Sequence, residues 1–145
     1  MTENILILSL TRMGDLIQTT PLIQGLKDKH PNARITLMVS SDFEDAISLI
    51  PGVDDSIVFN LRQFKDSNEW EDESWVKIYR YIESELNSIR NKEFDLLVNL
   101  SHSRFSALMV HYLKVPNVIG FHCSATGDRM TGHPWMQYFG TEPFN

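Results

Sequence analysis

Three stretches of the chain carry side chains whose types and spacing could do chemistry. The first is LSLTRMGDLIQTTP, residues 8 to 21, in which Arg12, Gly14 and Asp15 follow directly on an apolar run. A carboxylate at the amino end of a helix is favoured as its anion by the dipole and the free N–H groups. Gly14 lets a backbone or a ligand approach closely. Held within about 3 Å of an acceptor hydroxyl, such a carboxylate is a general base, an arrangement that typically contributes 10²- to 10⁴-fold. The competing reading makes Asp15 an ordinary N-cap. Arg12 suits an anionic substrate and, equally, a neighbouring carboxylate.

The second stretch is Ser101, His102, Ser103 and Arg104, which gathers hydroxyl, imidazole and guanidinium groups at a helix start, a suitable place for an anion or a sugar. Ser103 reads as the cap of that helix. No G-x-S-x-G surrounds a serine here, so adjacent Ser and His do not make a hydrolase. The third pair, Arg62 and Lys65, could clamp an anion. Basic residues beside an acidic run such as DSNEWEDE, residues 66 to 73, are more commonly solvated or paired with it. His122, Cys123 and His133 offer three metal ligands without a standard fourth, so no metal site is expected. Gly14 is the only glycine of the first loop, and no Gly-Lys-Ser/Thr follows, which removes both the dinucleotide fingerprint and the phosphate loop.

The elements that must position these groups alternate along the chain. NILILSL (4–10), RITLMV (34–39), DSIVF (55–59), FDLLVNL (94–100) and the short NVIG (117–120) read as strands, several of them continuous apolar runs of the kind found in parallel sheets. Between them lie helical stripes. Leu16, Ile17, Leu22, Ile23 and Leu26 mark the first, with Pro21 kinking it or starting its main body and Thr19 or Thr20 as cap. Ser41 and Glu44 form a capping box for the second. Trp75, Ile78, Tyr79, Ile82, Leu86 and Ile89 mark the third, after an aperiodic loop at 60–74. Phe105, Leu108, Met109, Tyr112 and Leu113 mark the fourth. The sum predicts an α/β fold, a Rossmann-like three-layer sandwich on a mainly parallel sheet, over residues 1–121. Residues 122–145 form an irregular tail whose Trp135, Met136, Tyr138 and Phe139 pack back on the domain or lead to a further one. Ligands in such sheets gather beyond the carboxyl ends of the strands, where strand order reverses. All three candidate stretches fall in loops at that end.

Composition narrows the partners. A net charge of −6 over 145 residues argues against a nucleic-acid binder. One cysteine excludes an internal disulfide and fits a reducing compartment. No run approaches the roughly 18 apolar residues of a membrane span, and the amino terminus lacks a secretory signal, so a cytoplasmic location is expected.

The stretch ILILSLTRMGDLIQTTPLIQGLKDKHPNARITLMV resembles the start of the family 9 glycosyltransferases, the bacterial heptosyltransferases of lipopolysaccharide core assembly. It shares a strand, R-x-G-D, a helix carrying T-P-L, then a proline and a second strand. FDLLVNLSHSRFSALMVHYLKVPNVIGF continues the likeness with a Ser-Ala-Leu helix and a closing Gly. Where many members have Gln-Gly after the fourth strand, this chain has Ser101-His102; their basic residue at the position of Phe105 stands one earlier, at Arg104.

The resemblance implies one half of a two-domain, GT-B type, inverting enzyme: the acceptor-binding amino-terminal half, with the donor held mainly by the other. It makes Asp15 the general base that deprotonates an acceptor sugar hydroxyl as ADP is displaced from a heptose or related sugar. It implies neither metal nor cofactor. It makes Arg12, Gly14, Arg62, Lys65, Ser101, His102 and Arg104 acceptor contacts. The partners it implies are an ADP-sugar donor, a lipopolysaccharide core or other glycan acceptor, and the cytoplasmic face of the inner membrane. Such a half alone should be nearly inactive. The alternative is a noncatalytic binding module that keeps the fold, with Asp15 only a cap.

Overall fold

The apolar runs become the centre of a single sheet. The computed structural model describes residues 4–10, 12–60, 62–64 and 72–131. Strands β1 (Asn4–Ser9), β2 (Arg34–Ser40), β3 (Asp55–Phe59), β4 (Leu96–Asn99) and β5 (Asn117–Cys123) are parallel, and β6 (Arg129–Thr131) closes one edge antiparallel to β5. Their order is β3-β2-β1-β4-β5-β6. The chain thus works outward from β1 in one direction, crosses back, and continues outward from β4 in the other.

Alternation along β1 explains the layers. Ile5 and Ile7 pack with Leu16 of α1 (Met13–Ile17), Ile23 of α2 (Thr20–Lys29) and Ala46 of a 3₁₀ segment, Ser41–Leu49. Leu6 and Leu8 point the other way, onto Leu86 and Ile89 of α3 (Asp72–Arg90) and Met109, Val110 and Leu113 of α4 (Arg104–Leu113). All four β1 side chains are fully buried. Each such burial is worth about 1.5–3 kcal/mol, so β1 alone outweighs any surface ion pair in the molecule. The α/β three-layer arrangement on a mainly parallel sheet is therefore as the sequence predicts.

Of the two readings of Pro21 the second holds, since it starts the main helical body: α1 ends at Ile17, and Pro21 stands in the first turn of α2. Several other details differ. Thr19 occupies the N-cap position of α2, but its hydroxyl donates backwards, to the Leu16 carbonyl at 2.6 Å, and makes no capping bond. The expected Ser41–Glu44 capping box does not form. Strand β2 runs on through Ser40, so Ser40 becomes the cap, its Oγ accepting from Asp42 N–H at 3.5 Å, while the Ser41 hydroxyl donates to Asn60 Oδ1 at 3.1 Å. The fifth strand continues past Gly120 to Cys123 and turns through residues 124–128 into β6, which the tail's lack of period had hidden. Trp135, Met136, Tyr138 and Phe139 lie outside the described residues, as do Lys65 and His133.

Two features hold β4 and β3 in place. Gly120 has φ +101°, and a Cβ there would collide with the Asn99 carbonyl on the adjacent strand, so only glycine lets β5 lie this close to β4. At the start of β3, Asp54 accepts from Ile35 N–H at 2.7 Å and from Lys27 Nζ at 2.5 Å. Burial acts to raise the Asp54 pKa, but the Ile35 bond and then Lys27 outweigh it and hold the carboxyl below its ordinary value. Asp55 is lowered in the same way, burial being outweighed by Ser56 N–H and Lys92.

Two outcomes follow. Gly120→Ala combines a left-handed φ with a backbone collision and should destabilise the protein by at least about 2 kcal/mol in urea unfolding. A carboxylate whose folded pKa is depressed contributes stability that is present above its ordinary value, 3.8 here, and is lost as pH falls through the folded value. Asp54→Asn should therefore flatten the fall in stability below about pH 4, measured as thermal midpoint against pH.

Candidate functional site

Strands β1 and β4 are neighbours whose connections leave toward opposite faces of the sheet, α1 and α2 on one and α4 on the other. Their carboxyl ends therefore diverge, and the crevice between the loops after them is where a parallel sheet binds its ligands. Those loops carry Arg12, Gly14 and Asp15 on one side and Ser101 to Arg104 on the other.

Asp15 stands in the first turn of α1, exposed, and makes no hydrogen bond or ion pair among the described residues. It is not the cap. Arg12 occupies the N-cap position with extended backbone, and no side chain caps this helix. The alternative reading of Asp15 as a capping residue thus loses its bond, and an unengaged carboxylate faces solvent at the mouth of the crevice. Arg12 is exposed as well, with no ion-pair partner among the described residues.

Gly14 is informative by what it does not need. Its φ is not left-handed, and a Cβ at this position would meet nothing within 4 Å. The fold itself would accept a side chain here.

Across the crevice the four candidates separate. Ser103 caps α4, its Oγ accepting from Ser106 N–H at 3.0 Å, as its sequence position predicts. Arg104 is exposed at the first turn of α4 and lines a groove of about 710 Å³ with Ser103, Leu108, Cys123 and Asp128, between that helix and the β5–β6 turn. His102 is exposed, its ring edge-on to buried Phe121 with centroids 4.6 Å apart. Ser101 is fully buried, and its hydroxyl accepts from Leu10 N–H at 2.8 Å. It therefore sits beneath the crevice instead of lining it.

Arg62 does not join the group as a free cation. It pairs with Asp42 at 2.9 Å, across the gap between the β3 end and the 3₁₀ segment. Its loop is fixed by Tyr81, whose hydroxyl oxygen accepts from Asn60 N–H at 2.8 Å. Burial, with Glu85 adding to it, pushes the Tyr81 phenol up despite that bond, so it stays neutral and the tie is independent of pH in the physiological range. Among the described residues no group of three or more His, Cys, Asp or Glu is placed to hold a metal ion.

Sequence reading missed the polar network that anchors all this. Asn99 Nδ2 donates to the Phe121 carbonyl at 2.7 Å and to Ser106 Oγ at 3.3 Å, while its Oδ1 accepts from Ser101 N–H at 3.0 Å. The Ser106 hydroxyl donates to the carbonyls of Ser101 and Ser103. A signal was available: an amide inside the apolar run LLVNL must find partners when buried.

No protein-family model matches the chain, and no curated protein matches it. Solved structures do. A glycosyl transferase family 9 protein from Veillonella parvula aligns with TM-score 0.64 at 20% identity, over 81% of this chain and 31% of its own. The E. coli ADP-heptose lps heptosyltransferase II aligns with TM-score 0.61 at 21% identity, over 81% and 30%. E. coli heptosyltransferase WaaC, solved with ADP-2-deoxy-2-fluoro heptose, aligns with TM-score 0.63 at 18% identity, over 81% and 36%. The chain spans about a third of the length of these structures. Its fold is glycosyltransferase-like, the fold of these structural neighbours.

The open space at Gly14 yields a measurable outcome. Gly25, in α2, is equally unconfined. Gly14→Ala and Gly25→Ala should each leave the fold intact and stabilise it, by up to about 1 kcal/mol in urea unfolding.

Proposed function

We propose that the chain is the acceptor-binding part of an inverting glycosyltransferase that moves a heptose or related sugar from an ADP-sugar to a lipopolysaccharide core or other glycan acceptor. One observation carries the proposal: an exposed, unengaged carboxylate, Asp15, at the switch-point crevice of a glycosyltransferase-like fold. The donor class is supported by the neighbour solved with an ADP-heptose analogue.

In this reading Asp15 accepts the proton of an acceptor hydroxyl. The oxygen attacks the anomeric carbon of the donor sugar, and the bond to ADP breaks with its electron pair leaving on the phosphate oxygen. Direct displacement inverts the anomeric centre and needs no covalent intermediate. An exposed Asp is a modest base, so the gain comes from its placement against the hydroxyl. Arg12 and Arg104, on the two lips of the crevice and without ion-pair partners among the described residues, attract the anionic groups of the acceptor. Arg62, already paired with Asp42, contributes less. Gly14 leaves the space beside Asp15 that an acceptor ring requires. The donor pocket belongs to sequence beyond the aligned region.

The test uses the full-length gene product with an ADP-sugar donor and a glycan acceptor. Asp15→Asn should reduce turnover at least 10²-fold with donor affinity nearly unchanged, and Arg104→Ala should raise acceptor KM several-fold with kcat little altered. Wild-type turnover in Asp15→Asn would refute the assignment of the base and leave a binding module as the better account.

A further inference from the structure

The two lips of the crevice are joined by one side chain. Strand β1 pairs with β4 through Leu8 opposite Asn99, and Leu100 N–H still donates to the Leu8 carbonyl at 2.9 Å. Beyond that point the strands part, because their helices leave toward opposite faces. The next donor on β1, Leu10 N–H, is met by Ser101 Oγ at 2.8 Å. A hydroxyl thus takes over from a backbone carbonyl where the ladder opens. Ser101 is itself held rigidly: its N–H donates to Asn99 Oδ1 at 3.0 Å and its carbonyl accepts from the Ser106 hydroxyl at 3.1 Å. It has no exposed surface.

We infer that Ser101 is a positioning residue whose buried hydroxyl fixes the β1–α1 loop, and with it the Asp15 carboxylate, relative to the α4 loop that carries His102 and Arg104. Only four residues separate Leu10 from Asp15, and no side chain caps α1. The short helix is thus anchored at its amino end through Leu10 and on its inner face through buried Leu16. Without the Ser101 bond, Leu16 remains as a pivot and the first turn of α1 is free to shift. Displacement of a reacting group by an ångström can cost on the order of 10²-fold in rate. The kinetic consequence rests on the reading of Asp15 as base; the mechanical one does not.

Ser101→Ala in the full-length gene product separates the two. Hydrogen exchange followed over the segment spanning residues 10–17 should accelerate at least about 10-fold, while the segment 34–40 of β2 is unchanged, as expected for local and not global opening. Turnover should fall about 10- to 100-fold with donor KM within twofold. Ile89→Val, a core change on the far face that leaves the loops alone, serves as the control for lost stability. Unchanged exchange over 10–17, or equal acceleration in β2, overturns the inference; a loosened loop with unchanged turnover supports the tie and refutes Asp15 as the base. A loosened loop in a protein whose wild type transfers no sugar supports the tie and refutes the transferase reading instead. Should Ser101→Ala fail to fold, the Leu10 amide of the wild type decides: protection well above that of Arg12 N–H supports the bond, and equal exchange refutes it. Ser101→Thr, which keeps the hydroxyl, should then retain the wild-type protection pattern.

Discussion

The divergence of β1 and β4 is the constraint on which the rest of this molecule depends. Two adjacent parallel strands send their connections to opposite faces of the sheet, so the backbone ladder between them cannot continue past Leu100. A crevice opens there by necessity, and the polar groups it uncovers must find partners or cost free energy, roughly 1–3 kcal/mol each when buried. Asn99, Ser101 and Ser106 supply those partners. No buried side-chain nitrogen or oxygen among the described residues lacks one. The same triad brings β5 into register through the Phe121 carbonyl, next to the glycine that lets β5 approach. Opening the crevice and closing its floor are thus one piece of geometry.

The charges around the crevice are arranged by competition. Four basic side chains stand near the carboxyl ends of the strands in sequence, and of the three among the described residues, Arg12, Arg62 and Arg104, one is committed within the fold. Arg62 meets Asp42 because the loop after β3 is pinned by Tyr81 and that after β2 by Ser40 and Asn60, which sets the two charges face to face. An exposed pair of this kind is worth at most about 1 kcal/mol, so it stabilises little. Its larger effect is to remove a cation from the lip. Exposed and without an ion-pair partner among the described residues are Arg12 and Asp15 on the loop after β1 and Arg104 on the loop after β4.

The sheet and most helices were legible in the sequence because burial on two faces writes a continuous apolar run and burial on one writes a 3.6-residue stripe. NILIL and LLV could hardly be anything else, and Ser103 announced its helix by chemistry that acts over three residues. Contacts across many residues left weaker marks. Ser101 lies 91 residues from the amide it meets, and a lone serine in a loop looks the same whether it is destined for a ligand or for a strand end. Ser40 displaced Ser41 as cap only because β2 pairs for one residue more than its apolar run, a matter settled by Phe59 of the neighbouring strand. The β5–β6 turn escaped notice because an edge hairpin needs little apolar pattern; Gly127 with φ +84° and the Ser124–Asp128 bonds make it from polar residues.

Asp15 and Gly14 show how a structure can sharpen such a reading without any bound ligand. As a cap, Asp15 would be held by the helix it starts; instead the helix starts three residues earlier and leaves the carboxylate unengaged. As a structural glycine, Gly14 would need a positive φ or a close neighbour, and it has neither. Gly120 has both, and its reason for being glycine is complete within the chain. Gly14 thus shares with Gly25 a position where the fold itself would accept a side chain, and what sets it apart is its place immediately before an unengaged carboxylate.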